Sequence, residues 1–360
     1  MVETRESLSY QPKVQIYGWT HNALNVQGAQ RAGSAFKDFA ASLPPSSSVV
    51  FFDEDTDIST SSEIRDGISM LISNYGLVAL EVARAYARLH GEPLTHAQLD
   101  IYMRELESLD VGELVRRSEG GDFPLNLRLS TYVLYRYLDR LDLHGRAFFF
   151  ETERHRKLEL DRFRSRDDYE TRKAEEMERC MDEGEVEGAA SALRKCVYDF
   201  NRTHIRYREH RIARQVASLT RRYPLDGIFM VYGAAHLGMG KRIERLLPGM
   251  KVQVGGIYSQ SPYANQVSLL RNPEAYPDFD FKCELLTNEL MNRVMHQCRE
   301  EGLLSGFALR FEDIQNDLWS LMNSFSEHDL DTILAGGIHG LFHDVYNVVR
   351  AQIYQDDMWN

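Results

Sequence analysis

Two histidines follow a glycine at the same spacing, each at the end of a short apolar run. Ile16-Tyr17-Gly18-Trp19-Thr20-His21 returns in outline 215 positions later as Val231-Tyr232-Gly233-Ala234-Ala235-His236. With 18 Tyr, 24 Gly and 12 His in the chain, a Tyr-Gly-x-x-His string should arise about 0.04 times by chance, so two copies ask for a reason. Glycine lets the backbone turn sharply at a strand end, and the imidazole then projects from the carboxyl edge. Two such edges aim two imidazoles at one point. A third group is acidic: Val49-Val50-Phe51-Phe52 runs into Asp53-Glu54-Asp55. Two imidazoles and one carboxylate form the facial set for a divalent metal with open positions, so His21, His236 and Glu54, preferred over Asp53, are the candidate ligands. Mn, Zn, Co or Fe(II) suit these nitrogen and oxygen donors, and a bound ion would turn water into a nucleophile near neutral pH. Without metal, one histidine serves as general base.

Arg208 stands at the margin of an apolar stripe formed by Ile205, Ile212, Val216 and Leu219. A half-buried guanidinium there either holds the ligating carboxylate, stabilises an oxyanion, or snorkels to solvent. Tyr17, Tyr232 and Trp19 flank the histidines and open a second reading, a flat ligand such as haem, although aromatic residues beside strand ends more often belong to a core. Other patterns are weaker. His339 and His343 share a helical face, but Gly340 stands where His-Glu-x-x-His needs Glu. Gly238-Met239-Gly240-Lys241 lacks the first glycine and the Ser or Thr of a phosphate loop, although its amides still favour an anionic substrate group at a helix N-terminus. No Gly-x-Ser-x-Gly elbow occurs.

The elements that must position these groups read as strand, helix, strand, twice over. Val14–Tyr17 alternates as a strand, and Ala32, Ala35, Phe36, Phe39, Ala40 and Leu43 fall at helical spacing. Pro44-Pro45 then breaks the chain before the buried run 49–52. The second unit runs from Ile228–Tyr232 through a helix at Leu237–Leu247 to a strand at Val252–Tyr258. The expected fold is therefore α/β: a mostly parallel or mixed central sheet built from two β-α-β units, with a large helical insertion and a helical C-terminal region. Residues 1–60 and 221–260 form the two halves of the α/β core, 61–220 the helical insertion, and 261–360 a C-terminal helical region packed on the core, together one composite domain. Capping boxes at Thr60-Ser61-Ser62-Glu63 and Thr95-His96-Ala97-Gln98 start helices in the insertion. Residues 125–141 are helical by spacing, 151–195 is a charged helix suited to solvent or a protein partner, and Ser259–Phe281, rich in Pro and Asn, reads as a long loop over the site edge.

These residues resemble the superfamily containing the TraB, TIKI, ChaN-like and erythromycin-esterase-like proteins. Gly18-Trp19-Thr20-His21 and Gly233-Ala234-Ala235-His236-Leu237 look like its two Gly-x-x-His motifs, the second resembling the family's Gly-Ala-Gly-His-Leu string. Arg208-Glu209-His210-Arg211-Ile212-Ala213 resembles its arginine helix, with Ile212 where Met is common. The family usually places Glu directly after the apolar strand, where this chain has Asp53 first and Glu54 second. The resemblance covers about 14–60 and 200–258. It implies a metal-assisted or histidine-based hydrolase of peptides, esters or related acyl compounds, or a haem- or iron-binding relative without catalysis. A scaffold or toxin-like module acting through the insertion is the third reading.

Composition narrows the classes. A chain of 360 residues, 43% hydrophobic, buries a substantial core. The net charge of −12 disfavours nucleic acid, and the basic run Arg154–Arg166 is interleaved with Glu151, Glu153, Glu159 and Asp161. Cys180, Cys196, Cys283 and Cys298 have neither ribbon nor framework spacing and read as reduced thiols. Met1–Tyr10 lacks an apolar leader core, and no run of 18 apolar residues occurs. The expectation is a cytoplasmic chain, or one exported without such a signal, with a small-molecule or peptide substrate and no membrane partner.

Overall fold

The computed structural model describes residues 13–19, 22, 24–44, 47–53, 62–120, 127–140, 147–150, 175–176, 179–180, 185–223, 225–233, 236–256, 263–335 and 338–357. Of these, 52–53, 62–75, 118–120, 147–150, 186, 203–204, 263–265, 334–335 and 355–357 are described as backbone alone. Strands β1 (Lys13–Trp19), β2 (Val49–Asp53), β3 (Ala147–Phe150), β4 (Gly227–Gly233) and β5 (Lys251–Gly256) form one sheet in the order β3-β2-β4-β1-β5. Every pairing is parallel. The α/β fold with helical insertion and helical C-terminal region is thus as the sequence indicates. One element differs: the segment 61–220 is not wholly helical, because Ala147–Phe150 adds an edge strand beside β2.

The two β-α-β units interleave. Helix α1 (Val26–Ala41) carries the chain from β1 to β2, passing over β4; helix α8 (Met239–Leu246) carries it from β4 to β5, passing over β1. Crossovers of one hand that move in opposite directions land on opposite faces. Accordingly α1 places Val26, Ala29, Phe36 and Phe39 against Tyr17, Trp19, Phe51, Phe229 and Val231. On the other face α8 and α7 (Arg206–Arg222) place Met239, Ile243, Ile212 and Val216 against Val14, Ile16, Val50, Ile228 and Met230. An axis parallel to the strands, between β1 and β4, therefore exchanges the units and the faces. The repeat in the sequence is realised as this pseudo-twofold.

Local chemistry sets each helix. Asn25 caps α1 by accepting the Gly28 N–H at 2.8 Å, and Phe36 meets Phe229 and Phe51 edge-on at 5.1 and 5.4 Å. Burial of each such ring stabilises by about 1.5–3 kcal/mol. Helix α2 (Ser62–His90) breaks at Gly76 (φ 84°, ψ −170°), a backbone state open to glycine. Its second half restarts on a borrowed cap: both carboxylate oxygens of Asp139, just beyond the core of α5 (Leu129–Asp139), accept the Leu77 and Val78 N–H at 2.9 and 2.8 Å. Helix α3 (His96–Glu107) carries the capping box read from Thr95 and Gln98; residues 60 and 61 of the other box lie outside the described residues. Helices α4 (Val111–Gly120) and α6 (Val186–Phe200) fill the insertion up to α7; of the charged stretch 151–195 expected as a helix, 186–195 falls in α6 and 151–174 lies outside the described residues.

The segment expected as a loop is helical. Helix α9 (Tyr263–Arg271) is followed by a 3-10 turn (Pro273–Ala275) and by α10 (Asp278–Glu300). The prolines punctuate these helices instead of breaking them: Pro273 opens the turn and Pro277 is the N-cap of α10. Proline's missing N–H and fixed φ suit a first turn. Helices α11 (Leu304–Leu309), α12 (Phe311–Ser324), α13 (Glu327–Ala335) and α14 (His339–Asp357) share one apolar cluster with α1, α2 and α5, through residues such as Leu80, Tyr135, Leu290, Trp319 and Ile353.

Candidate functional site

The carboxyl ends of β1 and β4 lie side by side, with Trp19 opposite Gly233 and Gly18 opposite Tyr232. They are also the switch point, where the crossovers depart in opposite directions and an open α/β sheet leaves its crevice. His236 sits there, three residues beyond β4 and just ahead of α8, and is 4% exposed. Tyr232, wholly buried, meets the His236 ring edge-on at 6.4 Å. His21 and Glu54 lie outside the described residues, and Asp53 is described as backbone, at the end of β2.

Beside His236 stands a carboxylate that the sequence reading passed over. Glu209 on α7 is 5% exposed in its side chain. Arg242 Nε, from α8, donates to its Oε2 at 3.3 Å, and Arg271 Nη2, from the end of α9, lies 3.9 Å from its Oε1. Burial pushes the Glu209 carboxyl up from its ordinary range, against the charge of Arg271, the hydrogen bond and charge of Arg242, and the charge of His236. Gly238 makes room for this cluster: a Cβ there would stand 2.1 Å from Arg271 Nη2 and 2.5 and 2.7 Å from the two Glu209 oxygens. A π-helical turn, Asn201–Ile205, leads into α7, a feature frequent at functional sites. From it Asn201 Nδ2 donates to the Leu270 and Arg271 carbonyls at 3.0 and 2.7 Å, tying down the end of α9.

Glu209 was readable in principle. Ile205, Glu209, Ile212, Ala213 and Val216 recur at helical spacing, so Glu209 lies in the middle of the stripe, and all five are buried. Arg208, which the sequence reading chose, is half-buried on the flank, the margin position expected of it.

A glutamate is buried on the other face as well. Tyr17 is buried beneath α1, where Glu312 of α12, completely buried, accepts from Asn25 Nδ2 and Arg31 Nη1, each at 3.1 Å. A Cβ on Gly28 would stand 2.3 Å from Glu312 Oε1, so a glycine in the first turn of α1, like the one at the N-cap of α8, admits a buried glutamate. Burial, with the nearby charge of Glu312, holds the Tyr17 phenol well above its usual range, against the opposing charge of Arg31. A cleft of about 570 Å³ opens here, lined by Tyr17, Gln27, Arg31, Ser34, Asp38 and Gly256 among others.

One expectation changes as a result. Tyr17 pairs with Val231 and Tyr232 with Gly18, so the equivalent tyrosines are one step out of phase and point to opposite faces. They do not line one flat ligand. Of the expected metal set only His236 is described, since His21 and Glu54 lie outside the described residues; among the described residues no group of three His, Cys, Asp or Glu side chains is arranged to hold an ion, and Glu209 is engaged by two guanidiniums whose charge opposes a dication. His339 and His343 stand 5.7 Å apart between ring centroids, both exposed on α14 and without a third ligand among the described residues. The four cysteines form no disulfide, and no described helix is long and apolar enough to cross a membrane. Comparison with models of protein families, with curated proteins and with solved structures finds no match.

Proposed function

We propose that this protein is a hydrolase of acyl substrates, peptides or esters, in which His236 activates water. The observation that carries the reading is a buried imidazole at the switch point of a parallel sheet, two residues before the Gly238 against which the buried Glu209 carboxylate packs. His236 takes a proton from water as the water oxygen attacks the carbonyl carbon. The Glu209 charge is opposite to that of the imidazolium so formed. Arg208 is assigned the stabilisation of the tetrahedral oxyanion, the role its half-buried guanidinium suggests in the sequence. When the bond to the leaving nitrogen or oxygen breaks, the imidazolium returns the proton to the leaving group.

The resemblance to the TraB, TIKI and erythromycin-esterase-like proteins supports the same class. Its metal-assisted form draws on His21 and Glu54 with His236. His21 and Glu54 lie outside the described residues, and no step here is routed through an ion. The test is hydrolysis of p-nitrophenyl esters and of fluorogenic peptides by the wild type, His236→Ala and His236→Gln, with circular dichroism to check the fold. Turnover should disappear in both variants. A folded His236→Ala protein that still hydrolyses at the wild-type rate removes the reading, and elemental analysis of the active protein separates the metal-assisted route from the metal-free one.

A further inference from the structure

Among the described residues the charges at the rim of this site do not balance. One buried carboxylate, Glu209, faces two guanidiniums, and neither is used up by it. Arg242 gives Glu209 a single hydrogen bond, through Nε, and among the described residues its two terminal nitrogens donate no other. Arg271 lies at 3.9 Å, an ion pair without a hydrogen bond, and among the described residues its guanidinium donates none. Both side chains are about one-third exposed, 32% and 37%. They are anchored at one end and open to solvent at the other.

The field around them is positive. His210, on the turn after Glu209, is held below the ordinary imidazole range, by burial first and then by the charges of Arg214 and Arg242. The bare Cα of Gly238 brings Arg271 onto the start of α8, two residues from His236, where the positive end of the helix dipole adds to the same sign. A planar guanidinium with free parallel N–H groups matches a carboxylate in geometry as well as charge. Asn201, by fixing the end of α9, keeps Arg271 in place before any ligand arrives.

We propose that Arg242 and Arg271 form a carboxylate-recognition subsite, so that the preferred acyl substrates carry a carboxylate a few bonds from the carbonyl that reacts. This rests on the hydrolase reading for its catalytic consequence, but binding tests it separately.

Two esters of equal length serve as probes: p-nitrophenyl hexanoate, neutral, and p-nitrophenyl hydrogen adipate, whose far end is a carboxylate. Wild type should favour the charged ester in kcat/KM by about tenfold at low salt, the size expected of partly exposed charge-assisted contacts. Added salt should shrink the ratio. In Arg271→Gln and Arg242→Gln the ratio should fall towards one, and Arg271→Lys, which keeps the charge but not the fork, should fall in between. Equal hydrolysis of both esters by wild type overturns the subsite and leaves the hydrolase standing. If neither ester is turned over, calorimetric titration with glutarate decides: binding that Arg271→Gln weakens tenfold upholds the subsite while the hydrolase reading falls, and no binding, or binding the variant does not change, overturns it.

Discussion

Replacing Gly238 by alanine is the sharpest test of the cluster, because only a methyl group is added. The backbone at Gly238 is ordinary (φ −64°, ψ −17°), so alanine needs no special conformation there. Its Cβ, however, would stand 2.1 Å from Arg271 Nη2 and 2.5 and 2.7 Å from the Glu209 oxygens, against roughly 3.5 Å for ordinary contact. Arg271, 37% exposed, swings into solvent at little cost. Glu209, 5% exposed, must move inside closed packing. Overpacking of that kind costs about 1–3 kcal/mol. Stretching the bond from Arg242, discounted for that residue's exposure, adds about 1 kcal/mol. The sum is about 2–4 kcal/mol, which in a chain of this length lowers the melting temperature by about 3–5 °C. Differential scanning calorimetry reads it, with Gly255→Ala as control, since a Cβ there would meet nothing within 4 Å. In a Glu209→Ala background the cost of Gly238→Ala should drop by at least half, because the group that cannot retreat has gone. A Gly238→Ala protein that melts with the wild type, or a cost unchanged by Glu209→Ala, refutes the argument that the glycine is there to admit the carboxylate.

Three further outcomes are expected. Asp139→Ala removes the cap on which α2 restarts after Gly76 and should cost about 1–2 kcal/mol in urea unfolding; no change in midpoint would show that Leu77 and Val78 find other partners. Asn201→Asp sets acceptors against the Leu270 and Arg271 carbonyls, so amide exchange in α9 should quicken and the preference for the charged ester should fall together; either one without the other breaks the link. The third concerns pH: Glu284, buried on α10, has its carboxyl raised by burial, against hydrogen bonds from Asn288 and Gln266. The native state therefore holds that proton more tightly than the unfolded chain. The resulting stability is complete below about pH 4.5 and is lost as pH climbs through the raised value. Glu284→Gln, uncharged throughout, should gain on wild type as pH climbs above about 4.5, and a midpoint difference that does not change with pH contradicts it.

Four of the five strands were legible because their apolar runs are bounded by turn residues, and α1 and α8 because their buried faces recur at helical spacing. β3 was not, since Ala147-Phe148-Phe149-Phe150 is a four-residue run within a long stretch of helical signal. The strand order was also out of reach: β1 pairs only with strands more than two hundred residues away, and periodicity carries no information on such partners. His236 was found through a local string. Glu209 is hidden because a charged residue interrupts the apolar stripe in sequence while standing at its centre in space, and Arg271 because prolines mark loops and first helical turns alike, and two of those around it start helical turns. The phase of the repeated tyrosines depends on sheet register, which becomes known only once β1 and β4 are paired.

The interleaving of the units has a consequence for biosynthesis. β1 finds no neighbour in the first half of the chain, because both its edges are taken by β4 and β5. At ribosomal speeds of about 5–20 residues per second, the nascent polypeptide carries Lys13–Trp19 with two open edges for about 10–40 seconds before Gly227–Gly233 emerges. For that interval an apolar strand is exposed to strand-on-strand association with other chains. A gene cut between the halves would leave one product with an unzipped β1 and the other with β4 and β5 kept apart by its absence. The two products would become a sheet only by finding each other.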